Sequence, residues 1–426
     1  MSNTNSNNTV RRKRNIRKTR NPVLIVFFVV ALIVLFIISS TIVIHQDHQQ
    51  NYITINGAAS IELGLNGIYK ELGANGIFNG KDITEEIEII SDIDSAKPGE
   101  YTVRYNYKTL SQQRDVIVGD VMNPMITLEK ETDSLKLGES LTPSKATATD
   151  ENGQDISANI QVEEIQLNRA QSYQIAYSVE DGQGRGTQVY QTVEVLPNVD
   201  YKSAGVAICM YHYVYDENNP PDDVNDRYNN YIEVKDLSEE LEYLLENNYY
   251  FPTWPEVRDY VDGKLILPDN SIVLCFDDGE KSFLQVGIPV LEKYKVPATC
   301  FMITKGGGAQ KVKDYPSDYV TYQTHSHEMH KGGGSIGHGG ILTAMSEEDI
   351  IKDLKTSMEI CGNSDAFAYP YGDTTTEGRN AVEKAGLLCA VTTNPGKVFP
   401  GDDPYLLNRI RMTQGQSLDS FIARIK

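Results

Sequence analysis

Two adjacent carboxylates carry the strongest chemical signal in this sequence. Asp277 and Asp278 end the run Ser271-Ile272-Val273-Leu274-Cys275-Phe276, which reads as a buried strand, and Gly279 follows them. In parallel α/β folds, chemistry collects at the carboxyl ends of strands. Successive side chains of a strand point opposite ways, so neighbouring aspartates can face different targets, one a metal ion and the other a proton. The plain alternative is an Asp-Asp-Gly that only turns the chain and caps the next helix. A second cluster weighs against that alternative. His325, His327 and His330 fall within six residues, in a chain holding seven histidines. One carboxylate with two neutral imidazoles is a divalent-metal ligand set that leaves coordination positions open for water. A third feature is Met210-Tyr211-His212, where an earlier apolar run ends. A histidine beside a metal at a strand end can protonate a leaving group.

These residues need a scaffold. From Gly205 the pattern alternates, with strands expected at 206–210, 272–276, 298–303, 367–369 and 388–392. Helices are expected at 237–246, 254–261, 282–294, 347–360 and 376–385. Such alternation over about 220 residues predicts one α/β domain with a largely parallel sheet or barrel. The run Gly332-Gly333-Gly334-Ser335-Ile336-Gly337-His338-Gly339-Gly340 lacks a following Lys-Ser/Thr and is no phosphate loop. It is expected to be a mobile surface loop, and His327 a loop residue.

The stretch before the α/β domain repeats. Gly80-Lys81-Asp82-Ile83-Thr84 returns as Gly153-Gln154-Asp155-Ile156-Ser157, and Tyr101-Thr102-Val103-Arg104-Tyr105 as Tyr173-Gln174-Ile175-Ala176-Tyr177. The spacing predicts two successive units at 52–120 and 121–197. Short alternating strands between Gly, Asn, Asp and Pro turns make each an all-β sandwich, with its aromatics in the core. They resemble the Ig-like modules of bacterial surface proteins, and their expected role is to act as separable spacers.

The amino terminus reads differently again. Residues 1–20 hold seven basic side chains and no acid, against a net charge of −20 for the whole chain. Residues 23–44 are free of charge and long enough to cross a bilayer as a helix. The basic cluster on the amino side predicts a cytoplasmic tail at 1–21, an uncleaved transmembrane helix at 22–44 and everything later outside the cell. A cleaved signal peptide, with a shorter apolar core, is the competing reading. The acidity of the remainder excludes nucleic acid as a partner. Five cysteines (Cys209, Cys275, Cys300, Cys361 and Cys389) form neither an even disulfide framework nor a zinc knuckle. Four of them sit in apolar runs as buried hydrophobes, and a Cys361–Cys389 bridge stays open.

Phe276-Asp277-Asp278-Gly279, His325-Ser326 with His330, and Tyr369-Pro370-Tyr371-Gly372 occur in the order found in the polysaccharide deacetylases, the NodB-homology domain of carbohydrate esterase family four. The resemblance covers residues 205–426. It implies a deformed (β/α) barrel that removes acetyl groups from N-acetylated sugars of a polysaccharide, of peptidoglycan or poly-N-acetylglucosamine type. It implies Asp278, His325 and His330 as ligands of one divalent ion, zinc first, with cobalt, nickel or manganese as alternatives. It implies Asp277 as general base, and an oxyanion and substrate site at Tyr371, Pro370 and Tyr369. Three features depart from the family pattern. Ala368 stands where an arginine is usual, the aspartate that supports that arginine has no match near Thr392-Thr393, and no histidine follows His338. These departures favour the rival reading, an inactive carbohydrate-binding protein. The Tyr211-His212 pair instead resembles the branch acting on poly-N-acetylglucosamine exopolysaccharides, in which a first-strand histidine is the acid. No obligate protein partner is inferred. The expected whole is therefore a multidomain chain: one transmembrane helix, two sandwiches, then the barrel.

Overall fold

A computed structural model of the chain describes residues 51–426 apart from residues 66, 68, 120–122, 182–184 and 228–229. The expected basic tail and span, residues 1–44, lie outside the described residues. Among the described residues no helix is long and apolar enough to cross a membrane. The expected single-pass membrane protein with an extracellular catalytic domain is corrected accordingly.

The sequence repeat corresponds to one turn used twice. Asp82 accepts a hydrogen bond from the Thr84 backbone N–H at 2.9 Å, and Asp155 accepts one from Ser157 N–H at 2.9 Å. Each aspartate thereby opens a short 3₁₀ turn, Thr84–Glu86 or Ser157–Asn159. The repeated tyrosines Tyr105 and Tyr177 are both fully buried, each in the core of its own sandwich. The first sandwich lies in one compact unit ending at Asn123. Its four-stranded sheet pairs Gly99–Tyr107 with Leu110–Val118 and Glu88–Ser91, and Ser60–Leu63 with Leu110–Val118. Ile53, Val103 and Val116 pack against Tyr105 inside.

The second unit, Pro124–Lys426, joins the second sandwich to the α/β domain. Seven parallel strands close into a barrel: β1 (Ala207–Tyr211), β2 (Ile272–Phe276), β3 (Ala298–Met302), β4 (Val320–Thr324), β5 (Ala366–Ala368), β6 (Cys389–Pro395) and β7 (Leu407–Arg411). Around it lie α1 (Val234–Glu246), α2 (Trp254–Val261), α3 (Ile288–Tyr294), α4 (Gly308–Asp314), α5 (Glu347–Cys361), α6 (Thr376–Ala385) and α7 (Leu418–Ile425). Strand alternation sorts the side chains into two layers. Ile208, Val273, Cys275, Phe301, Ala366, Ala368, Val391 and Leu407 make one core cluster. Cys209, Tyr211, Leu274, Phe276, Cys300 and Tyr322, one residue out of step, pack with α1 and α3 in another. The helix expected over 282–294 is divided. Phe283–Gly287 forms a wider π turn before α3, where Pro289 at the helix start lacks the N–H needed to continue the ladder.

The second sandwich is not a free spacer. Just before β2, the segment after α2 adds to its edge: Ala170 N–H donates to Lys264 carbonyl at 2.7 Å, and Ile266 N–H to Asn168 carbonyl at 2.8 Å. Arg169 pairs with Asp259 of α2 at 2.5 Å, and Ile266 packs against the sandwich core. Asn198 N–H donates to Gly263 carbonyl at 2.8 Å, and Gly263 adopts φ 69°, with Asn198 backbone where a Cβ would stand. The docking therefore sits at the amino ends of the barrel strands. All five cysteines are free and buried, which closes the question of a Cys361–Cys389 bridge.

Candidate active site

Asp277 continues the inward parity of Val273 and Cys275 and meets Arg409, which follows the same parity on β7. Arg409 donates from both terminal nitrogens to the two Asp277 oxygens at 2.8 Å each, and from Nε to the Thr392 carbonyl at 2.7 Å. Both side chains are buried. Burial alone raises a carboxyl pKa, but the Arg409 charge and its paired hydrogen bonds outweigh it and hold Asp277 below the usual carboxylate range. Arg409 was not among the expected site residues, because the family's arginine is usual near position 368, where this chain has Ala368. The available signal was alternation: in Leu407-Asn408-Arg409 a strand carries an arginine on the same face as an apolar residue.

Asp278 belongs to the outward parity, yet it reaches the same strand end because its backbone turns at φ 72°. Gly279 extends the turn at φ 64°, and a Cβ there would collide with Met302. Lys311 of α4 donates to the Gly279 carbonyl at 2.9 Å and fixes the turn from outside. Oδ1 of Asp278 lies 3.5 Å from Nε2 of His325 and 3.5 Å from Nε2 of His330. One ligand-capable atom from each of the three falls within 4.8 Å of the others. His325 Nδ1 lies 2.7 Å from the Ala368 carbonyl. A carbonyl only accepts, so Nδ1 carries a proton, and Nε2 is the nitrogen that faces Asp278, free to bind an ion once its own proton has left. Ala368, where an arginine was expected, thus contributes its backbone oxygen. The donor set fits a divalent ion.

Burial opposes charge on all three residues. For Asp278 the hydrogen bond and charge of His325 prevail, and its pKa falls far below the ordinary range. His325 moves upward, because Asp278 and Asp277 outweigh burial. His330 drops to about 4, through burial and the neighbouring His325 charge, so it stands neutral near pH 7, as a ligand must. The connecting loop is clamped from α5: Asp353 accepts from His327 N–H and Glu328 N–H at 2.7 Å each. His327 turns elsewhere, with Nδ1 3.0 Å from Thr304 Oγ1, and takes no part in the ligand set.

His212 follows β1 on the inward parity, beside Asp277, whose N–H bonds to Tyr211 carbonyl at 3.0 Å. Burial depresses its pKa, against the pull of Asp277 and Asp278. Its Nδ1 is buried and has no hydrogen-bond partner among the described residues. Such an orphan costs stability unless a ligand or substrate uses it. Tyr371 stands at φ 62° after Pro370, its ring centroid 4.6 Å from that of His330. Tyr369 differs from expectation. Its ring is fully buried in a core cluster with Phe367 and Met329, so its side chain offers no surface to a substrate.

The glycine run is a built wall beside Tyr371. Buried Asp373 accepts from His338 N–H at 2.8 Å and Gly340 N–H at 2.8 Å, and Gly340 leaves room for the Tyr371 ring. His338 itself is exposed at the rim.

Comparison with known proteins adds the following. Residues 264–390 match the family model described as polysaccharide deacetylase, and residues 53–118 and 126–195 that of the bacterial surface protein, Ig-like domain. Over 196 residues the chain is 28% identical to a poly-beta-1,6-N-acetyl-D-glucosamine N-deacetylase of Staphylococcus aureus, covering 42% of this chain and 67% of that protein. A Streptococcus pyogenes deacetylase solved in complex with acetate superposes with TM-score 0.46 at 21% identity, over 53% of this chain and all of that one. The IcaB structure from Ammonifex degensii gives TM-score 0.44 at 25% identity, over 52% of this chain and 97% of that one.

Proposed function

The chain carries a polysaccharide deacetylase domain, a hydrolase of amide bonds, behind bacterial-surface Ig-like modules, and from that premise we propose that it removes acetyl groups from N-acetylated amino sugars of a poly-N-acetylglucosamine-type polymer with the help of one divalent ion. One observation carries the reading. The two adjacent aspartates are given different tasks, Asp277 bound to Arg409 and Asp278 facing two histidines.

Asp278, His325 and His330 would hold the ion, zinc being first choice. When bound, it would supply a Lewis acid that polarises the acetyl carbonyl and lowers the pKa of a water to about 7. Asp277, ionised by virtue of Arg409, takes the proton of the attacking water. The backbone N–H of Tyr371 donates to the developing oxyanion. His212 gives a proton to the sugar nitrogen as the carbon–nitrogen bond breaks, so acetate and a free amine leave. Proton transfer of this kind is typically worth about 10²–10⁴-fold in rate. Arg409 also weakens the case for an inactive binding protein, which rested in part on a missing arginine and in part on the absence of a histidine after His338.

The test is acetate release by the full chain from soluble β-1,6-linked N-acetylglucosamine oligomers, beside chitin oligomers and peptidoglycan fragments. Turnover should vanish on chelation and return with a divalent ion. His330→Ala should lose the ion, while His327→Ala should keep it. No acetate from any substrate, with the ion bound, favours the binding-protein reading.

A further inference from the structure

Asp278 has a second oxygen, and the structure shows what it does. Oδ1 faces the two histidines, while Oδ2 accepts a hydrogen bond from the Tyr213 hydroxyl at 2.8 Å. Tyr213 opens the short strand Tyr213–Tyr215, directly after His212, and is 5% exposed. That strand pairs in parallel with Tyr231–Glu233, outside the barrel. Tyr231 meets the Tyr213 ring edge-on at 5.1 Å, and the Arg227 guanidinium lies 5.3 Å from its centroid. Tyr231 sends its own hydroxyl elsewhere, to Asp223 at 2.9 Å. The Tyr213 phenol is therefore held from two sides and spends its donor on one carboxylate oxygen.

We propose that Tyr213 is a positioning residue that keeps Asp278 a one-oxygen ligand. The proposal rests on the metal-site reading above. A carboxylate with both oxygens free can chelate an ion through both. That would occupy a position which catalysis needs for water or the acetyl oxygen. With Oδ2 committed to a phenol, only Oδ1 is left to turn toward His325 and His330. The same hydrogen bond draws electron density from the carboxylate, as outer partners of metal ligands do. Tyr213 reaches the ion only through Asp278, so its effect should appear in the properties of the site and not in any one proton transfer.

The test uses the full chain loaded with cobalt(II), whose visible absorption reports coordination. Tyr213→Phe keeps the ring and its packing. It is expected to change the position and intensity of the cobalt bands, and to alter cobalt affinity or turnover by roughly 10–100-fold, the usual effect of losing an outer partner. Tyr231→Phe removes a phenol from the same cluster without touching Asp278, and its spectrum should match wild type. Should Tyr213→Phe melt too low to study, 4-aminophenylalanine at position 213 keeps a donor in place and should retain the wild-type spectrum. A Tyr213→Phe spectrum and affinity equal to wild type overturn the proposal, as does a Tyr231→Phe change of the same size. Wild-type protein that binds no divalent ion overturns the metal-site reading itself, and this proposal with it.

Discussion

Asp277 keeps its charge in a buried place because Arg409 faces it with two parallel hydrogen bonds. Removing one partner of such a pair leaves an uncompensated buried charge, at a cost of about 3–5 kcal/mol. Arg409→Met should destabilise the second unit by that order in denaturant titration. Its acidic kcat/KM limb should also move to higher pH, because burial alone raises the Asp277 pKa and the base must be ionised. The direction of the Asp277 shift sets the linkage. Its folded-state pKa is depressed, so its contribution to stability is present above the unfolded value of about 3.9 and lost as pH falls through the folded one. An unmoved acidic limb in Arg409→Met would remove Asp277 from the base role. His212 is tested at the other limb. His212→Ala should lower kcat by about 10²–10⁴-fold while metal content and melting temperature hold. The alkaline limb should change with it, since the working imidazole is protonated. Near-wild-type turnover would assign the proton to another donor.

Helix α1 carries a carboxylate on its buried face. Glu240 accepts from the Tyr211 hydroxyl of β1 at 2.7 Å and from Gln416 at 2.8 Å, with no cation bonded to it among the described residues. Burial pushes its pKa up to about 7, against the two hydrogen bonds. The neutral form therefore stabilises the fold below the ordinary glutamate pKa, and that contribution is lost as pH rises through about 7. At about 1.36 kcal/mol per unit the swing is on the order of 3–4 kcal/mol. Glu240→Gln should flatten the fall in melting temperature between about pH 4.5 and 7. A variant whose melting follows the wild-type pH curve would mean that Glu240 is already ionised in the fold. Tyr211 links this pair to the site, since His212 is the next residue along the same strand.

At the scale of the molecule, the second sandwich and the barrel share one compact unit, and the first sandwich stands in another. Docking uses backbone hydrogen bonds at 168–170, 198 and 263–266 and the apolar side chain of Ile266. A chain of residues 124–426 should melt like the second unit of the full chain. A chain beginning at residue 200 should melt lower, by roughly 2–4 °C for each kcal/mol of interface lost. Equal melting by calorimetry would return the second sandwich to a spacer.

Patterns local in the chain were legible without the structure. A continuous apolar run placed β2 at 272–276, the alternation of strands and helices placed α2 at 254–261, and the repeat marked two sandwiches by a turn and a core tyrosine that each unit needs for itself. Asp277, Asp278 and the histidine cluster could be read because they lie within a few residues of one another or of a strand end. Arg409 could not be placed on Asp277 in this way, since 132 residues separate the pair and only barrel closure between β1 and β7 brings them together. Tyr213 was equally hidden, because its reach to Asp278 depends on a short strand outside the barrel and on a positive φ at residue 278. Sequence period fixes which way a side chain faces along its own strand. Which group it then meets depends on the closure, the turns and the burial of the whole sheet.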